Sequence, residues 1–109
     1  MVSPSIERLE KLLDSPRDGS LLRYSLGLEY LKIENSEKAI TFFRDAVARD
    51  AGYSAAWRAL GKALEAAGQA AEALDAYRKG IAASQKKGDK QVEKEMTVFA
   101  RRIEKRIAE

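Results

Sequence analysis

The side chains that could do chemistry in this chain are lysines, arginines and carboxylates, because its 109 residues include no Cys and no His. That removes a disulfide framework, a Cys/His zinc site, a thiol nucleophile and an imidazole general base together. Two basic runs stand out, Lys86-Lys87-Gly88-Asp89-Lys90 and Arg101-Arg102-x-x-Lys105-Arg106. Clustered cations of this kind can hold a phosphate backbone. Here Glu93, Glu95, Glu104 and Glu109 are interleaved with them and Phe99 falls on an apolar stripe, so a solvated helix face accounts for them better. Gly61-Lys62 is not a phosphate loop, because no glycine stands five residues before Gly61. Acids such as Glu7, Glu10 and Asp45 are spread over polar faces, without a pair placed to share acid–base work. No catalytic, cofactor-binding or metal-ligating residue is expected, and the chain does not read as an enzyme.

With 45% hydrophobic and 34% charged residues, the chain can build one continuous core and is not a disordered tail. Its length suits a single domain. The start, Met1-Val-Ser-Pro-Ser-Ile-Glu-Arg, holds no apolar run of the signal-peptide kind. No segment approaches the roughly 18 consecutive apolar residues of a membrane span. A cytoplasmic location is expected, with no membrane contact, and the lack of Cys fits a reducing compartment. A net charge of +3 leaves room for an acidic partner, while nucleic acid is not expected from charge of this size.

The elements that must position these residues are helices. Residues 4–13 carry Ile6, Leu9, Leu12 and Leu13 as one stripe, with Ser3 as cap, Pro4 in the first position and Asp14-Ser15-Pro16 as the stop. Residues 20–33 are apolar on nearly every face, which predicts a helix surrounded by other protein. Glu34-Asn35-Ser36 follows, with Asn suited to a left-handed helix end and Ser to the next cap. Residues 36–49 turn Ala39, Ile40, Phe43, Ala46 and Val47 inward. Asp50-Ala51-Gly52-Tyr53 is a turn, Ser54 is expected to cap residues 54–67, and Gly68 follows. Helices over 70–86 and 90–107 complete the chain, separated by Gly88-Asp89; the last shows Val92, Met96, Phe99, Ile103 and Ile107 on one stripe. No alternating β-branched pattern predicts a strand.

The chain also repeats itself. Trp57-x-x-Leu60-Gly61, a break at Gly68-Gln69 and Ala73-x-x-x-Tyr77 reappear 34 residues earlier as Leu26-Gly27, Asn35-Ser36 and Ala39-x-x-x-Phe43. This resembles the tetratricopeptide repeat (TPR), a helix–turn–helix unit of 34 residues. The second unit supplies Trp57, Leu60, Gly61, Ala73 and Tyr77, and departs with Leu64 for Tyr and Gly80 for Ala. The first supplies Leu26, Gly27, Tyr30, Ala39, Phe43 and Ala46, and departs at Arg23, where an aromatic is usual, and at Ala51, where Pro is usual. Small residues at Gly27, Gly61, Ala39 and Ala73 would let two helices approach closely, and an indole buried at Trp57 would make its truncation cost about 3–5 kcal/mol. The resemblance implies an all-α superhelix of about six antiparallel helices in a single domain, 1–109. Its parts would be an N-terminal helix at 4–14 acting as half a repeat, full repeats at 20–53 and 54–87, and a C-terminal capping helix at 89–108.

For function, the resemblance implies a protein–protein interaction module, an adaptor that takes a peptide or protein segment into the concave groove lined by the first helix of each repeat. Its groove positions fall on Tyr24, Leu28 and Leu31 in the first unit and on Arg58, Lys62 and Glu65 in the second. Apolar side chains of the segment would meet Tyr24, Leu28 and Leu31, and an acidic group would pair with Arg58 and Lys62. The Lys/Asn clamp by which some of the family hold a chaperone's terminal carboxylate does not fit, since Tyr24 and Leu28 occupy its first Lys and Asn positions. Two other readings compete: a weak homodimer using the Tyr24, Leu28 and Leu31 stripe, and an RNA- or ribosome-associated factor using the basic last helix.

Overall fold

Six α-helices follow the six apolar stripes in the computed structural model, which describes residues 3–108. They are α1 (Pro4–Glu10), α2 (Ser20–Lys32), α3 (Ser36–Arg49), α4 (Ser54–Ala66), α5 (Ala70–Lys87) and α6 (Lys90–Ala108), with no strand among the described residues. Ser3 caps α1 by accepting from the Ile6 N–H at 3.2 Å, and Pro4 takes the first position. The helix stops at Glu10, short of Leu13. Beyond it the N–H groups of Leu12 and Leu13 reach back three residues, to Leu9 and Glu10, and the Ser15 hydroxyl donates to the Leu12 carbonyl. Such tightened bonds end a helix without a glycine.

Two caps differ from expectation. Glu34, at φ 60°, supplies the left-handed residue after α2, which leaves Asn35 to cap α3 by accepting from the Lys38 N–H at 3.2 Å; Ser36 becomes the first helical residue. Tyr53 occupies the cap position of α4 with no side-chain hydrogen bond, and Ser54 is buried in the first turn. Gly88 does end α5, at φ 73°, and the Asp89 carboxylate accepts from the Val92 N–H at 3.3 Å to start α6.

Close approach within each hairpin depends on missing side chains. A Cβ on Gly27 would fall inside contact distance of the Phe43 ring, and one on Gly61 would do the same to the Tyr77 ring. Both rings are fully buried. Gly80, the second unit's departure, has a comparable cause: a Cβ there would stand 2.7 Å from the Trp57 Cβ and press on the Met96 sulfur. Met96 of α6 fills the space that an Ala would have begun to occupy. The other departure, Arg23, replaces aromatic packing by ion pairs, to Asp18 at 2.7 Å and to Asp45 on α3 at 3.1 Å. The hydrogen bond from Arg23 holds the Asp18 carboxyl well below the usual carboxylate range, with a second contribution from the Asp14 N–H.

The contacts between hairpins set the curvature. α2 packs on α4 and α4 on α6, while the backbones of α3 and α5 stay apart and an exposed side-chain pair, Arg44–Glu72, reaches across. Helices drawn together on one side and splayed on the other make a curved stack, with α2, α4 and α6 on the inner face. Tyr30, Phe43, Leu26, Leu64, Tyr77, Met96 and Ile103 form its continuous core. α1, α3 and α4 pack against α2, yet Leu21, Leu28 and the following Ile33 stay exposed, so the helix is not surrounded by protein as its apolar composition predicted.

Candidate binding groove

The inner face is built from three parallel stripes. On α2, Leu21, Tyr24, Leu28 and Leu31 recur at three- and four-residue spacing and so share a side. Tyr24 stands against Tyr53, just before α4, at 5.0 Å between ring centroids, and against Phe43 at 5.9 Å. Its ring is therefore half-buried packing, and Leu31 is likewise half-buried against the core. Leu28 and Leu21 remain open, at 36% and 67% exposure. Leu21 was not singled out in the sequence because it is one of many apolar residues on α2; its seven-residue spacing from Leu28 is the signal that places it on this side.

The stripe on α4 is engaged with α6. Arg58 donates to Glu95 at 3.0 Å, so the guanidinium expected to meet an acidic ligand already holds a carboxylate. Glu65 accepts from the Tyr77 hydroxyl at 2.8 Å and pairs with Arg106 at 3.4 Å. Burial, reinforced by that hydrogen bond to a carboxylate, pushes the Tyr77 hydroxyl far above the usual tyrosine range, so Tyr77 acts only as a donor to Glu65. Lys62 lies over the Phe99 ring, its ammonium 5.1 Å from the centroid, and the Arg102 guanidinium sits 5.6 Å from the same centroid. Among the described residues neither Lys62 nor Arg102 is in an ion pair.

The inner face thus joins an apolar strip on α2 to a cationic strip where α4 meets α6. A cavity of about 440 Å³ opens at the cationic end, lined by Glu65, Arg102, Lys105 and Arg106. The cations Lys62, Arg102 and Lys105 were not grouped in the sequence because α4 and α6 are about 40 residues apart and periodicity reports only one helix at a time. Among the described residues no cluster of carboxylates is placed to hold a metal ion, and no helix is long and apolar enough to cross a membrane.

Comparison with known proteins agrees with the all-α repeat fold. Residues 22–53 match the family model described as tetratricopeptide repeat, a span that nearly coincides with the first 34-residue unit. The TPR repeat-containing protein PA0015 of Pseudomonas aeruginosa is 46% identical over 100 residues, covering 92% of this chain and 95% of that protein. The solution structure of protein BPP2914 from Bordetella parapertussis is 42% identical, covers 99% of this chain and 93% of its own, and superposes with a TM-score of 0.80. A tetratricopeptide repeat domain protein from Salinibacter ruber, 28% identical, covers 84% of this chain and 91% of its own, with a TM-score of 0.75.

Proposed function

The chain belongs to the tetratricopeptide repeat family, and from that premise we propose that it is a non-enzymatic, cytoplasmic adaptor that receives a protein or peptide segment on its inner face. TPR proteins generally mediate protein–protein interaction. The observation that carries the reading for this chain is the pairing of Leu21 and Leu28, exposed on α2, with Lys62 and Arg102, which lack ion-pair partners among the described residues at the α4–α6 end. A segment with apolar side chains toward α2 and a carboxylate toward α6 fits both strips. Tyr24 and Leu31 then support Leu28 from below, and Arg58 and Glu65 fix α4 against α6.

Capture of a partner by the wild-type chain, Leu28→Glu and Lys62→Glu, with melting temperatures measured in parallel, tests this. Leu28 is about one-third exposed and Lys62 gives up its contact with the Phe99 ring, so each variant should stay folded and lose no more than about 1–2 kcal/mol. Loss of capture by a chain that still melts cooperatively is the expected result. Capture that survives both substitutions would place the interaction elsewhere.

A further inference from the structure

On the face opposite the groove, the gap between α3 and α5 leaves the side of α4 open as the floor of a furrow. One end is a cavity of about 660 Å³ over Val47, Leu60, Leu64 and Ala76. The other, about 390 Å³, lies over Ala51, Gly52 and Ala83 and is walled by Lys79, Lys86 and Lys87. Trp57 and Lys79 line both, so the two cavities are neighbours along one furrow. The indole N–H donates to the Ala51 carbonyl at 2.8 Å, which satisfies its polar edge and leaves its apolar body to the furrow.

The lysine wall comes from a departure between the two repeats. α3 ends at Arg49, whose counterpart 34 residues later is Ala83, yet α5 continues for one more turn to Lys87. Of that turn only Ser84 is buried; Lys86 and Lys87 are exposed. Among the described residues neither has a carboxylate within ion-pair distance, while Lys79 pairs with Asp75 at 3.1 Å. The rim at the apolar end is neutral, since Arg44 of α3 pairs with Glu72 of α5 at 2.6 Å across it. An exposed pair of this kind is worth at most about 1 kcal/mol and can open.

We infer that this furrow is a second binding site, for an acidic peptide segment whose apolar side chains lie on the half-buried Trp57 and the exposed Ala48 and Ala71, above the buried Leu60 and Leu64, and whose Asp or Glu side chains meet Lys86 and Lys87. Charge complementarity selects this occupant: one end presents Lys86 and Lys87 without ion-pair partners among the described residues, and the charges at the other end, Arg44 with Glu72 and Lys79 with Asp75, are paired. A nucleic acid fits less well, because unpaired cations stand at one end alone and do not track the length of the furrow as a phosphate backbone requires.

Trp57 is the only Trp in the chain, so its emission reports on the furrow directly. The probe is an amidated synthetic peptide without Trp, three leucines followed by a run of glutamates, titrated against the full chain; its amide end confines the test to side-chain carboxylates. A saturable change in emission is expected, weakening as salt rises. Lys86→Glu combined with Lys87→Glu should raise the dissociation constant about tenfold or more at unchanged helicity. Leu28→Glu should leave it unchanged, which separates this site from the groove. No saturable change would overturn the inference, as would equal binding of a glutamine-for-glutamate peptide or insensitivity to the lysine substitutions. A response abolished by Leu28→Glu would assign the peptide to the groove. Tighter binding of a single-stranded RNA at the same lysines would replace the peptide with a phosphate ligand.

Discussion

Gly61→Ala tests the packing logic of the repeat at a single atom. The new Cβ would be driven into the Tyr77 ring, which is fully buried and held from two further directions. Phe99 stands 5.5 Å away, ring to ring, and the hydroxyl is tied to Glu65 at 2.8 Å. Relief therefore requires α4 and α5 to separate, or the ring to shift and weaken that hydrogen bond. Overpacking costs about 1–3 kcal/mol and a weakened hydrogen bond about 1 kcal/mol. Against these, Ala gains about 1 kcal/mol over Gly inside a helix. The balance is a loss of about 1–3 kcal/mol, read from urea unfolding followed by circular dichroism. The sign should reverse once the ring is removed: in a Tyr77→Leu background, Gly61→Ala should stabilise by up to about 1 kcal/mol. Equal destabilisation in both backgrounds would refute the contact as the reason for the glycine.

Arg23→Met should flatten the acid limb of the stability curve. Asp18 is depressed in the folded state, so its contribution is present above the unfolded value of about 3.9 and is lost as pH falls through and below it. The wild type should therefore lose stability more steeply than the variant below about pH 4. Trp57→Ala should cost about 2–3 kcal/mol in chemical unfolding, less than a fully enclosed indole, because the ring is only half-buried and lines the outer furrow. Removal of everything after Lys87 takes away Met96, Ala100 and Ile103 from the core and uncovers α5, so sedimentation should show aggregated material in place of a discrete species.

The parts of the fold legible in the sequence are those written in local spacing. Helical stripes located all six elements, and the Gly27–Phe43 and Gly61–Tyr77 pairs recur 34 residues apart because the same hairpin is built twice. Caps were less legible. Asn35 and Ser36 are both good caps, and the left-handed turn at Glu34 decides which one serves. The extent of α1 was lost for a related reason: Leu12 and Leu13 fit the apolar stripe although their N–H groups close tighter turns. In the groove, spacing put Tyr24, Leu28 and Leu31 on one side of α2 but could not tell that Tyr24 is packed on Phe43 and Tyr53 while Leu28 is open. Nor could composition reveal that Arg58 is taken by Glu95, since an ion pair spanning 37 residues leaves no periodic trace.

The adaptor reading stands on which face of the molecule its partner touches. A photo-crosslinking residue placed at Leu28 on the inner face, and separately at the exposed Thr41 on α3, measures that in cell extract. A discrete adduct from position 28, absent from position 41 and lost when Lys62→Glu is added, is the predicted result. An adduct from position 41 with none from position 28 would contradict it.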